Sequence, residues 1–247
     1  MIQDRGVALW YRAGAFALCL FGVVYNLGVF HGHFHGVFLL YYTLQSNLLA
    51  LGLLGALVYR TAADLRRRGR RGSARYYPRA SAVALLGVSL TLLVFWGFIA
   101  PVFPYKQYLF GYTNLSVHLV NPLLMIGDYA LFSARGKLKT SDALCFLWLP
   151  ALYFAQAAIL GFAGVNYGFP FIAGVNDNPK PKRFPYFFMD YQTLGWRAAL
   201  YLWDIFLICL GLACLLLAIH SHEKKKLYPA PIQTPAPRDN KNLPVRQ

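Results

Sequence analysis

Residues 37–71 read VFLLYYTLQSNLLALGLLGALVYRTAADLRRRGRR. The stretch is an apolar run that ends in a basic cluster, and a helix of about 20 apolar residues crosses a bilayer core. Near the start of the run, where lipid offers no water to satisfy polar groups, sit Thr43, Gln45, Ser46 and Asn47. Span, basic flank and enclosed polar group recur along the chain. Apolar runs over about 10–30, 82–102, 112–133, 144–164 and 196–219 join the one at 37–59. They predict an all-α polytopic membrane protein, a bundle of six transmembrane helices. The composition agrees: 57% of residues are hydrophobic and 13% charged, against about a quarter charged in soluble domains. Residues 1–222 are expected to form one transmembrane domain. The first run is too long for a secretory signal and lacks a clear small-residue cleavage site. Residues 223–247 carry Pro229, Pro231, Pro235, Pro237 and Pro244 with little apolar mass, the pattern of a disordered tail.

The net charge of +15 is distributed as a topology signal. Arg60, Arg66, Arg67, Arg68, Arg70, Arg71, Arg75 and Arg79 lie between the second and third runs. Arg135, Lys137 and Lys139 follow the fourth, and Lys224, Lys225 and Lys226 the sixth. Short basic loops stay in the cytoplasm, so six crossings put both termini there too. Only Lys106, Lys180, Lys182, Arg183 and Arg197 then fall on the far side. Loop 60–79 suits anionic lipid head groups, and no nucleic acid is needed to explain it. Cys19, Cys145, Cys209 and Cys214 all lie inside predicted spans, so no disulfide framework is expected and buried cysteines pack as small apolar residues.

Intramembrane polar residues mark sites when they face the bundle interior. Asn114, His118, Asn121, Met125 and Asp128 follow helical spacing along one face. Thr43, Ser46 and Asn47 share a face of the second span; Arg197, Tyr201 and Asp204 share one in the sixth. With a rise of ~1.5 Å per residue, Thr43 and His118 each lie roughly 9 Å below the outer edge, and Asp204 ~12 Å. A hydroxyl and an imidazole at one depth can make an activated nucleophile. Alternatively, His118 bonds a neighbouring helix and Thr43 the carbonyl one turn back. Asn47 and Asn114 are either packing contacts or amide donors to an oxyanion; Asn121 reads as packing. Asp204 either orients His118 or neutralises Arg197. Asp128, near the basic end, is expected to pair with loop cations. His31, His33 and His35 alternate on a short outer loop with no carboxylate or cysteine to complete a metal site. The outer loop at about 165–195 is rich in aromatics and proline, suited either to the membrane interface or to a cap over a cavity.

Three short motifs carry a resemblance. They are Tyr42-Thr43-Leu44-Gln45-Ser46-Asn47-Leu48-Leu49; His118-Leu119-Val120-Asn121-Pro122 leading to Asp128-Tyr129; and Phe184-Pro185-Tyr186-Phe187 with Gly195-Trp196. In this order, with six spans, they resemble bacterial members of the androgen-induced protein family, which includes the androgen-dependent TFPI-regulating protein. The likeness covers about residues 10–219. It implies an intramembrane threonine hydrolase that cleaves fatty acid esters of hydroxy fatty acids or related lipids, with Thr43 as nucleophile and His118 as base. Gln45-Ser46-Asn47 departs from the animal pattern, so the substrate is less transferable than the nucleophile.

The expectation is therefore a lipid ester hydrolase in a bacterial cytoplasmic membrane, needing no metal or organic cofactor. Asn47, Asn114 and Asp204 would assist the catalytic pair, while Gln45, Arg183, Arg197 and Tyr201, with Lys180, would hold the lipid substrate. One alternative is a transporter or lipid-binding protein using His118, Asp128 and Asp204. A third is an interaction protein working through its Arg-rich loop and Pro-rich tail.

Overall fold

The computed structural model describes residues 2–103, 109–133, 138–168 and 181–227. Lys106, Arg135, Lys137, Pro170, Pro179, Lys180 and the tail prolines fall outside these ranges. Among the described residues there are no strands, and six helices are long and apolar enough to cross a membrane. We label them α1 (Arg5–Asn26), α2 (Tyr42–Arg68), α3 (Pro78–Val102), α4 (Tyr112–Phe132), α5 (Asp142–Phe162) and α6 (Arg197–Leu227).

The ends of these helices follow from local chemistry. Asp4 caps α1, its carboxylate accepting from the Val7 N–H at 3.0 Å, so α1 begins before the apolar run does. The second run begins at residue 37, yet α2 starts only at Tyr42. Gly36–Leu40 form a tight 3₁₀ segment, and Tyr41 is extended between the two. At its other end α2 outlasts the apolar run. Thr61 bonds back to the Leu57 carbonyl at 2.6 Å, and Gly69 stops the helix with a φ of +73°. Helix α6 continues through Leu227, into the segment expected to be disordered. Glu and Lys are good helix formers, and the first proline comes only at Pro229.

Helix α3 is the axis of the bundle. Ten consecutive positions, Ser81 to Leu90 together, are enclosed apart from the partly buried Val83. On one side α1, α2, α3 and α4 share a core of Ala15, Cys19, Leu54, Leu57, Val88 and Met125. On the other, α5 and α6 close over α3, with Leu90, Val94, Tyr153, Ile205 and Cys209 at the centre. Cys145 and Cys214 are exposed on the outside of the bundle, unlike Cys19 and Cys209. Small residues let helices approach closely in lipid. A Cβ placed on Gly22 of α1 would come within 2.9 Å of Ser116 of α4.

The basic end is tied together by the N-terminal segment. Arg5 donates to the carbonyls of Gly69 (2.9 Å) and Arg71 just beyond α2, and the Ile2 N–H reaches the Leu131 carbonyl at 3.1 Å. Gly72, in that turn, has a φ of +127°, and a Cβ there would sit 2.4 Å from the Arg5 guanidinium. Gly72→Ala should therefore cost about 1–3 kcal/mol, read as a lower unfolding temperature of the detergent-solubilised protein. An unchanged transition would mean that the turn readjusts freely.

Deeper in, Arg12 and Asp128 form an ion pair at 2.6 Å, each side chain 1% exposed. Arg12 also donates to Thr61 Oγ1 (2.8 Å) and the Ala74 carbonyl (2.9 Å). The partner of Asp128 is thus an arginine from the first span, not a loop cation. Burial decides this, because a charge at that depth needs a partner equally withdrawn from water.

Candidate active site

Thr43 occupies the first turn of α2 and is 7% exposed. Its Oγ1 lies 3.2 Å from Nε2 of His118. The other ring nitrogen, Nδ1, lies 3.0 Å from the Asn114 carbonyl. A carbonyl only accepts, so that contact requires Nδ1 to carry the hydrogen. In a neutral imidazole, Nε2 then presents a lone pair to the Thr43 hydroxyl. This is the tautomer that a general base needs. The ring of Phe95 stacks on the imidazole, with centroids 3.7 Å apart at 19°, and fixes its plane.

His118 is set by an irregularity in α4. Residues Ser116–Val120 form a π-helical turn, and the Asn121 N–H bonds the Ser116 carbonyl. Pro122 follows and has no N–H to give. Val117 and His118 carbonyls therefore lack their usual partners within the helix. Side chains from two neighbours supply them. Asn47 Nδ2 donates to the Val117 carbonyl at 3.1 Å, and Trp96 Nε1 to the His118 carbonyl at 3.1 Å. Trp96 and Phe95 belong to a second π turn, Phe95–Ile99 in α3, just before Pro101. Such turns often occur at functional sites. Here two of them bring the stacking ring and the imidazole together.

Asn47 is fully occupied. Its amide nitrogen also donates to the Thr43 carbonyl at 2.7 Å, and its oxygen accepts from Asn121 Nδ2 at 2.9 Å. With both donor hydrogens committed, it is a clamp between α2 and α4 and not an oxyanion donor. Asn47→Ala would strand buried groups on both helices at about 1–3 kcal/mol. The expected result is a lower unfolding temperature with weakened Thr43 reactivity; intact stability would contradict the clamp.

A cavity of about 30 Å³ adjoins Thr43, lined by Tyr42, Thr91, Phe95, Tyr153, Tyr186 and other apolar side chains. That volume holds roughly two water molecules. The outer loop roofs it. Tyr41 Oη donates to the Tyr167 carbonyl, the Tyr167 N–H reaches the Lys182 carbonyl at 2.7 Å, and Phe188 is 2% exposed. Tyr186 lies 5.6 Å from Tyr41 and 6.2 Å from Tyr153, ring to ring, and stacks on Phe188 at 5.0 Å. Of the two readings of this loop, the described part forms the cap.

Other residues singled out in the sequence lie elsewhere. Gln45 donates to the Leu39 carbonyl (3.1 Å) and Gln156 Oε1 (3.3 Å). Asn114 serves His118 through its main chain. Asp204 is exposed, and no ion pair joins it to Arg197 among the described residues. The inward stripe of α6 runs through Ala198, Ile205, Cys209, Ala213 and Leu216, which leaves Asp204 one position off. Its orienting role falls, because the Asn114 carbonyl already holds Nδ1. Tyr201 packs its ring on Phe98 and Phe187. Arg197 is exposed, and Arg183 lies over the Phe162 ring at 4.8 Å while bonding the Gly161 carbonyl. His33 and His35 stack, and no group of three or more potential metal ligands occurs among the described residues. Phe95, Trp96 and Tyr153 had no signal as site residues, being aromatics among many. Pro122, four residues after His118, was the available clue to the distorted turn.

The fold is a bundle with six helices long and apolar enough to cross a membrane, and the site is a buried threonine in hydrogen-bond contact with a histidine. No family model, curated protein or solved structure matches the chain.

Proposed function

We propose that this protein is an intramembrane lipid ester hydrolase with Thr43 as nucleophile and His118 as general base, a bacterial member of the androgen-induced protein family. The observation that carries the reading is the 3.2 Å contact between Thr43 Oγ1 and His118 Nε2, with Nδ1 held at the Asn114 carbonyl. In the proposed reaction Thr43 Oγ attacks the ester carbonyl as its proton passes to Nε2. The alcohol leaves with that proton, giving an acyl-threonine. Water, deprotonated by His118, then attacks the acyl carbon and releases the fatty acid and the threonine.

The substrate is a lipid ester drawn from the bilayer, with fatty acid esters of hydroxy fatty acids as the first candidates. An acyl chain exceeds the cavity seen here, so the cap of residues 181–190 opens to admit it. The basic end faces the cytoplasm with both termini, in a bacterial cytoplasmic membrane. Arg66, Arg67 and Arg71 are exposed there and would meet anionic head groups. The transport reading is less well supported, because Asp128 is locked to Arg12.

The test is labelling of the purified protein with a fluorophosphonate probe and mapping of the adduct by mass spectrometry. An adduct on Thr43 is expected. Well-folded protein that stays unlabelled and cleaves no lipid ester would overturn the proposal.

A further inference from the structure

Attack on an ester carbonyl places a negative charge on its oxygen, and a site without donors for that charge is slow. The amides of Asn47 are spent, so the donors must come from elsewhere. Tyr153 lines the cavity beside Thr43. It is 3% exposed, and its hydroxyl has no hydrogen-bond partner. Its ring is held edge-on to Tyr42, with centroids 5.2 Å apart. Its ring lies 6.2 Å from that of Tyr186, centroid to centroid. Tyr186, from the cap, lines the same cavity beside Tyr42 and Thr43. Those two residues open α2, where the N–H groups of the first turn have no carbonyl partners within the helix. The N-cap residue Tyr41 gives them no side-chain cap, and the helix dipole favours negative charge there.

The geometry points to Tyr153 and Tyr186 as the oxyanion-stabilising catalytic residues, both lining the cavity beside Thr43 at the positive end of α2. This rests on the hydrolase reading and names its missing part. As the Thr43 Oγ–carbon bond forms, the carbonyl π pair moves onto oxygen. The two phenols donate to that oxygen while His118 holds the proton from Thr43. When the pair returns, the carbon–alkoxide bond breaks and the leaving oxygen takes the proton from Nε2. Tyr186 arrives with the cap, so the oxyanion site is complete only when the roof is closed and bulk water excluded. That couples closure to chemistry.

The experiment compares wild type, Tyr153→Phe, Tyr186→Phe and Thr43→Ala as full chains in lipid nanodiscs. Hydrolysis of a long-chain p-nitrophenyl ester is measured beside inhibition by an alkylboronic acid, whose tetrahedral adduct carries the negative charge. Each phenylalanine variant is expected to lose about 10²-fold in kcat with KM within a few-fold, and to bind the boronate correspondingly less well. A folded Tyr153→Phe and Tyr186→Phe at wild-type rates, beside an inactive Thr43→Ala, would overturn this inference and leave the hydrolase reading standing. Wild type with neither hydrolysis nor boronate binding would overturn both. If Tyr153→Phe fails to fold, Tyr186→Phe decides alone.

Discussion

Thr43→Ala should leave a folded protein with no lipid esterase activity. The proposed nucleophile is gone, while the clamp between α2 and α4 uses the Thr43 carbonyl and not its side chain. His118→Ala should cost about 10²–10⁴-fold, the usual contribution of a positioned base, equivalent to roughly 3–5 kcal/mol in the barrier. Thr43→Ser keeps the oxygen and should retain measurable turnover, because Nε2 still accepts the proton. The discriminating measurement is the ordering of single-turnover acylation rates: wild type, then serine, then the histidine variant, with alanine at background. Equal rates for alanine and wild type would place the chemistry elsewhere.

The largest effect on stability is expected at Asp128. Asp128→Ala leaves the Arg12 guanidinium buried beside Phe132 and Tyr76 with its counter-charge removed. Breaking a buried pair in this way costs about 3–5 kcal/mol. Replacing both partners, as Arg12→Met with Asp128→Leu, should recover most of that loss, because the desolvation of two charges disappears with their attraction. Unfolding of wild type, Arg12→Met, Asp128→Leu and the double variant in one detergent forms a double-mutant cycle. Additive losses would show that the pair is not coupled. The same residue separates two functional readings. A folded Asp128→Asn variant keeps ester hydrolysis if Asp128 is structural, whereas a proton-coupled transporter would lose uptake.

The six spans were legible because apolar runs and flanking arginines report partitioning into lipid, which depends little on tertiary detail. Thr43 and His118 were legible as polar residues at one depth, and their contact depends on features that periodicity does not carry. An ideal helix over 112–133 would have supplied the face but not the rotation imposed by the π turn before Pro122. The same limit explains Asp204. Grouping it with Arg197 and Tyr201 used the right period but the wrong phase, since Ile205 and Cys209 set the inward side of α6. Asn47 was ambiguous until its neighbours were known, because an amide looks alike in sequence whether free or spent. Arg12 carries no signal in the sequence beyond one cation inside a long apolar run, because its partner lies 116 residues away.

That separation bears on how the protein is made. Chain synthesis adds about 5–20 residues per second. Arg12 is therefore added to the chain roughly 6–23 s before Asp128. Over that interval the first helix carries an unneutralised guanidinium, which makes its place in hydrocarbon costly. The ion pair that offsets this cost forms only when the fourth helix arrives. Assembly of the bundle is thus gated by a late residue: a chain interrupted before residue 128 would hold its first helix only loosely, a ready substrate for quality-control proteolysis.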